Sequence, residues 1–404
     1  MRASFLFVIV YGLFFSMVLF AFNSCHEAKG FGLKEKLFSK KYTLADSVYY
    51  HALNRQFEAN MSKYGCPGMA VAVIKDDHII FDKGYGVRSL NTMEPIDQNT
   101  VFRIGSVSKG FAGMLASILI DQGKLHLDDP VSLYVPEMDI KAKNEDRVLR
   151  LRHILSHTSG YTEHAFSNLV DQGLDRATLV RCLSRIAPRD VTGIDYAYQN
   201  VAFSLVEQAI EKVTGMTYAQ ALDFYIFSPL NMCNSSSSYE AMNYCVNHCQ
   251  GHIVTKNGIV PQDLGKHYYN IPSAGGVNAT LNDMVKWLRA IMGYRPDVLS
   301  REARNLAFDA YADTSKDRKF WNRRKEVLHT QYGLGWRLVE TNYNHLVYHG
   351  GLVNGFRSEI AFDSKTNTGI VVLFNSLCSY SNSVVFDFFE FNNHYFQESE
   401  DIYL

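Results

Sequence analysis

Ser106 and Lys109 stand three positions apart in Phe102-Arg103-Ile104-Gly105-Ser106-Val107-Ser108-Lys109, ahead of an apolar run from Phe111 to Ile120. Residues at this spacing share one face of a helix, so the lysine nitrogen can reach the serine hydroxyl. A hydroxyl with a base beside it is an activated nucleophile. With Ser106 in the first helical turn, unpaired backbone N–H groups and the positive helix end would also favour an oxyanion forming there. Ser-x-x-Lys is a short pattern, and a chain of this length holds about one by chance. The chemistry therefore depends on partners supplied elsewhere.

A second proton-handling group is offered by Tyr198-Gln199-Asn200, just before a helix expected over Val201–Val213. A tyrosinate or a neutral lysine near Ser106 can take its proton, and an asparagine amide can hold a substrate amide. Tyr-x-Asn recurs at Tyr268-Tyr269-Asn270 and Tyr380-Ser381-Asn382. The first is preferred because Tyr380 follows the last expected strand and Tyr268 lacks an expected helix behind it. His153 and His157 invite a Ser-His triad, but their loop setting reads as structural. Gly-x-Ser-x-Gly does not occur, which argues against an α/β-hydrolase.

The elements that must position these residues are legible in outline. Leu53, Phe57 and Met61 line one face of a helix over Leu44–Tyr64. Met69–Ile74 reads as a buried strand, Lys75-Asp76-Asp77 as its turn and His78–Tyr85 as the returning strand. The Ser106 helix should end near Gly123. His153–Gly160 reads as a helix running into a glycine loop, and Tyr218–Phe227 and Thr280–Ile291 as further helices, the last capped by Thr280 or Asn282. Lys316–Lys325 reads as a solvated loop. Strands return at Gly335–Glu340, Leu346–Tyr348, Phe356–Asp363 and Gly369–Asn375, followed by a helix over Ser383–Tyr395. Strands at both ends with helices between predict an α+β fold: one antiparallel sheet built from the N- and C-terminal segments and flanked by helices, plus a mostly helical lobe. That arrangement would bring the His349 region to the sheet edge beside Ser106.

The chain has 404 residues, 47% hydrophobic and 20% charged, with a net charge of -1, enough for a large core and without the basic excess of a nucleic-acid binder. Arg2 precedes an uncharged apolar run, Ser4–Phe22, that ends at Asn23-Ser24-Cys25. Residues 1–25 therefore read as a cleaved secretory signal, an uncleaved membrane anchor or a segment lipidated at Cys25, each placing the body outside the cytoplasm, at the cell envelope. Residues 26–43 read as a linker, 44–396 as the catalytic domain and 397–404 as a tail. Six cysteines beyond Cys25 are permitted disulfides by that route but form no disulfide scaffold. Cys245, His248, Cys249 and His252 have helical spacing that could hold zinc. A partly buried helix with small apolar cysteines is preferred, so no metal or other cofactor is expected.

With these motifs in order, the chain resembles the serine β-lactamase/penicillin-binding family, in the class C-like branch that includes family VIII esterases and DD-peptidases. Besides Ser106-x-x-Lys109 and Tyr198-x-Asn200, the resemblance rests on Leu155–Gly160, Glu211–Gly215, Ser273–Val277, Tyr332–Trp336 and His349-Gly350-Gly351 with Gly355-Phe356. It implies a β-lactamase/transpeptidase-like fold with Ser106 as the acylated nucleophile. Lys109 and Tyr198 would share the base role, and Asn200 would hold the substrate amide. The backbone N–H groups of Ser106 and Leu352 would form the oxyanion hole. His349, Gly350 and Gly351 take the place of the family's Lys-Thr-Gly in substrate binding. Histidine there is only partly charged near neutral pH, and Gly350 lacks the threonine hydroxyl. Both departures weaken recognition of a substrate carboxylate, and lysine at 349 would be expected to restore it. The implied activity is an exported serine hydrolase of small esters or D-amino-acid-containing peptides, with weak β-lactam hydrolysis. The alternatives are a β-lactamase or DD-carboxypeptidase, or a receptor that keeps the fold without catalysis.

Overall fold

The structure is a computed structural model that describes residues 44–138, 148–256, 258–317 and 324–401. The expected leader or anchor (1–25), the linker (26–43) and the middle of the Lys316–Lys325 loop lie outside the described residues. The chain falls into two units, Met1–Tyr49 and Tyr50–Leu404, and every site residue belongs to the second.

Twelve strands are described: β1 (Gly68–Lys75), β2 (His78–Gly86), β3 (Val101–Arg103), β4 (Gly251–Thr255), β5 (Gly258–Gln262), β6 (Asn278–Thr280), β7 (Ala312–Asp313), β8 (Val327–Tyr332), β9 (Arg337–Thr341), β10 (His345–Val353), β11 (Phe356–Asp363) and β12 (Thr368–Phe374). Eight form one sheet in the order β2-β1-β12-β11-β10-β9-β8-β7, with every pairing antiparallel. The N-terminal hairpin thus joins the C-terminal meander through β1 and β12, from Met69↔Phe374 to Lys75↔Thr368. Both joining strands are nearly all apolar and, apart from Lys75, buried, as strands covered on both faces must be.

Alternate residues face opposite ways along a strand. On one face Gly369 lies against Leu288, in the Leu281–Arg289 helix, and Phe362 meets Phe308 at 5.6 Å. On the other, Tyr348 meets Phe386 of the closing helix and Phe81 meets Phe57 of the leading helix. Leu53, Phe57 and Met61 are buried there, on the face their spacing predicts. Cys66, just before β1, is disulfide-bonded to Cys378, just after β12.

The helical lobe is built around Ser108–Asp121, whose first twelve residues are all buried, as expected of a helix that is apolar all round. Phe111 stacks on Trp287 at 4.0 Å. A two-stranded ribbon, β3 with β6, runs alongside and pairs Arg103 with Asn278. It carries the Pro272–Gly275 turn to the start of the helix, where Ile104 N–H donates to the Val277 carbonyl.

Several expectations are corrected. Ser106 lies not in the first α-helical turn but in a tighter turn, Gly105–Val107, just ahead of it. The helix expected over Val201–Val213 is two, Asn200–Ser204 and Val206–Thr214, parted at Leu205. The helix leading to Cys245 ends at Tyr244, so the cysteines and histidines beyond it are not on one helical face. The closing helix runs Val384–Asp401, into the expected tail. β10 is an inner strand of the sheet rather than its edge, although only part of it is flanked on both sides.

Candidate active site

β9 pairs with β10 only from His345 to Tyr348, whereas β11 follows β10 as far as Val353. The second half of β10 therefore has one open side, and the Gly105–Val107 turn packs beside it on the face of the sheet, over β10 and β11. Two glycines permit the approach. A Cβ on Gly351 would lie 2.0 Å from the Ile104 carbonyl oxygen, and one on Gly105, whose φ is +51°, would lie 2.7 Å from the Leu352 nitrogen. The Ile104 carbonyl is also held by the Ser358 hydroxyl at 2.5 Å. Ser106 is consequently presented beside the Leu352 backbone N–H, the pair assigned to the oxyanion hole.

Lys109 follows one turn later and is fully buried. Its Nζ lies 3.4 Å from Ser106 Oγ, donates to Asn200 Oδ1 at 2.8 Å and to the Ala274 carbonyl at 2.7 Å, and sits 4.7 Å above the Tyr198 ring. Burial, with the nearby Arg337 cation second, holds the ammonium well below its usual range. A neutral amine has two hydrogens and one lone pair. With both hydrogens directed at oxygens that only accept, the lone pair is left for the Ser106 hydroxyl.

Burial raises the Tyr198 phenol above its usual range, with the Ser106 hydroxyl a smaller opposing influence, so it remains protonated. Its neighbour Asn200 is placed by Gln199, which caps the Asn200–Ser204 helix by accepting from Ala202 N–H at 3.0 Å and receives its own anchor where Gln199 N–H donates to His157 Nδ1 at 3.2 Å. His157 is fully buried, with its ring 4.2 Å from that of Tyr198, and positions Tyr198 and Asn200 rather than reaching Ser106.

His349 departs from its expected charge state. It is buried; Nδ1–H donates to the Gly350 carbonyl at 2.8 Å, and Nε2 accepts from the Tyr332 hydroxyl at 2.9 Å. Burial and the Arg337 cation hold it well below its usual pKa, so it is a neutral ring with both nitrogens occupied and not a partly charged receptor. Gly350 faces away from Ser106: a Cβ there would meet Glu359, Tyr348 and Arg357 side chains within about 3 Å. These three are joined by Tyr348 O–H to Glu359 at 2.7 Å and by the Arg357–Glu359 ion pair.

Three contributors were not evident from the sequence. Ala274 acts through a backbone carbonyl, which no side-chain motif reveals. Its turn is pinned by the fully buried Glu207, which accepts from Ser273 N–H at 2.9 Å and Ser273 Oγ–H at 2.6 Å and pairs with Arg176 at 3.0 Å. Arg337 is enclosed by the rings of Tyr196, Tyr198 and Tyr332 at 5.4–5.8 Å. Tyr268, set aside for want of a following helix, has the Pro272–Gly275 turn behind it and lies 3.2 Å from Asn200 Nδ2. Among the described residues no cluster of three or more His, Cys, Asp or Glu could hold a metal ion. His252, one of the four candidate ligands, is committed to the Leu90 N–H and the Asn375 carbonyl.

The matches to known proteins agree with this arrangement. The Beta-lactamase family model matches residues 53–382. The chain is 25% identical over 334 residues to Protein flp of Staphylococcus aureus (strain MW2), covering 81% of this chain and 63% of that protein. It is 27% identical over 333 residues to the Unguisins hydrolase ungD' of Aspergillus campestris (strain IBT 28561), covering 79% of this chain and 60% of that protein. It thus spans less than two thirds of the length of these relatives. The octameric penicillin-binding protein homologue from Pyrococcus abyssi shares the fold with a TM-score of 0.72 at 24% identity, covering 83% of this chain and 77% of that one. The fold is that of β-lactamases and transpeptidases, and the chain belongs to the Beta-lactamase family.

Proposed function

We propose that this protein is an exported serine hydrolase that forms and then hydrolyses an acyl-enzyme on Ser106, with small esters as its main substrates and D-amino-acid-containing peptides as a second class. The observation that carries the reading is the Lys109 amine, whose hydrogens are taken by Asn200 and Ala274 while its lone pair is left for Ser106. Lys109 takes the hydroxyl proton as Ser106 Oγ bonds to the acyl carbon. The carbonyl electrons move onto oxygen, between the N–H groups of Ser106 and Leu352. Collapse breaks the bond to the leaving alcohol, which receives a proton from Tyr198, itself reprotonated from Lys109. Water then repeats the sequence on the acyl-enzyme, giving an acid and free Ser106.

The neutral, fully bonded His349 supports esters over β-lactams, since it brings no charge to a substrate carboxylate. The Cys66–Cys378 disulfide supports an oxidising compartment. A relative named a hydrolase supports the reaction class.

The test uses the chain lacking its first 25 residues, a fluorophosphonate label, a short-chain p-nitrophenyl ester and a chromogenic cephalosporin. Labelling and ester turnover should exceed cephalosporin turnover, and Ser106→Ala should abolish both. Equal labelling of the Ser106→Ala protein would sink the reading.

A further inference from the structure

The Arg301–Phe308 helix and the sheet beneath it bound a cavity of about 420 Å³, a size typical of small-molecule sites. Its floor is a cross-strand row, Gln331, Leu338, Val347 and Phe362, contributed in register by β8, β9, β10 and β11. Phe308 packs on Phe362 at 5.6 Å and walls the same space. The cavity is separate from the active site. Val347 lies four residues before Gly351 on the same face of β10, about 13 Å along the strand from the backbone against which the Ser106 turn packs.

Arg304 lines the cavity one helical turn before Phe308. Its Nε is buried with no hydrogen-bond partner, and among the described residues no carboxylate pairs with its guanidinium. The fold makes room for this group. The guanidinium lies over Gly293, where a Cβ would come within 2.7 Å of Nη1, and Gly293 holds a φ of +102°, which favours glycine. Burial first and Arg301 second work against the cation, with Glu302 the opposing charge. The acid in the cavity wall, Glu340, faces His345 at 3.8 Å, and His329 faces Asp313 at 3.5 Å. Of the charged groups in the wall, Arg304 is the one without a counter-ion.

We propose that this cavity is a second binding site, which takes a carboxylate carrying a short hydrocarbon tail. The planar fork of Arg304 matches the two carboxylate oxygens, and the tail lies along Leu338, Val347 and Phe362. Neither interaction involves Ser106. An alkylammonium with the same tail would meet Arg304 with like charge, and acetate would lack the tail.

Isothermal titration calorimetry with octanoate, octylammonium and acetate tests the site. The wild-type protein should bind octanoate at least about tenfold more tightly than either of the others. Arg304→Met should weaken octanoate about tenfold, the worth of a hydrogen bond to a charged group. Because it removes a cation without a partner, this variant should melt no lower than wild type, and octanoate should raise the melting temperature of the wild-type protein alone. Leu338→Trp keeps Arg304 but fills the cavity from β9. It should weaken octanoate by a similar factor and serves if Arg304→Met does not fold. Octanoate binding within twofold of wild type in either folded variant, as binding beside Ser106 would give, overturns the site. So does a wild-type protein that binds octylammonium as tightly as octanoate, or that shows no saturable octanoate binding.

Discussion

Lys109 and Arg337 are both cut off from water, yet burial leaves the first an amine and the second a cation. Lys109 is surrounded by groups that accept a hydrogen without carrying charge, the Asn200 amide and the Ala274 carbonyl. Desolvation therefore has nothing to offset it, and the Arg337 charge adds to it. Arg337 meets three tyrosine faces and Asp317, and these more than offset the burial that would otherwise lower its pKa. A guanidinium also starts with far less tendency to lose its proton. The difference gives the two basic side chains separate tasks: the permanent cation sits behind the tyrosines and adds to the desolvation that keeps Lys109 and His349 neutral.

The largest effect should come from abolishing that difference. Lys109→Arg puts a permanent cation where the amine stands, and kcat for ester hydrolysis should fall about 1,000-fold with little change in KM, as read by single-turnover acylation. Retention within tenfold would mean that Tyr198 alone serves as base. His349→Lys places an ammonium beside the Arg337 guanidinium in a sealed position. Stability should drop by roughly 3–5 kcal/mol in denaturant titration, with no gain in cephalosporin turnover. A stable variant that turned over the cephalosporin would mean the 349 side chain can reach a substrate carboxylate.

Arg337→Met tests the coupling itself. Activity needs the neutral amine, so it rises with pH through the Lys109 pKa. Removing the Arg337 charge removes one of the two causes that lower that pKa, so the acid limb of kcat/KM should move to higher pH. The loss at pH 6 should exceed the loss at pH 9, and an unmoved limb would show that desolvation acts alone. The smallest effect belongs to the support beneath Ala274. Glu207→Gln keeps an oxygen for Ser273 but loses the Arg176 ion pair. It should lower kcat by about threefold, within the worth of a weakened buried hydrogen bond, and leave KM unchanged. A change confined to KM would place Glu207 on the substrate side instead.

What the sequence disclosed follows the range of the forces involved. The strands β1 and β12 and the leading helix are written as local apolar patterns, and Ser106, Lys109, Tyr198 and Asn200 sit in short motifs whose order along the chain marks the family. Charge state was not legible. The neutrality of His349 depends on Tyr332, distant in sequence, and on Arg337 from another strand, so reading position 349 by its residue type gave a partly charged group. Short elements were missed for a related reason: β3 and β6 have only three residues each and are held by one another across the chain, not by any local period. Tyr268 was set aside because the helix behind it is only four residues long, too short for periodicity to register.

The bridge between Cys66 and Cys378 has a consequence for the integrity of the molecule. It closes the catalytic body into a covalent ring that contains β1 to β12 and everything between, while the leading and closing helices hang outside it. One cut in the backbone anywhere inside the ring opens it without releasing a fragment. An oxidised chain nicked once between Ser106 and Tyr198, or between Tyr198 and His349, would therefore remain a single molecule with its catalytic set still tethered, and only a reductant would part the pieces.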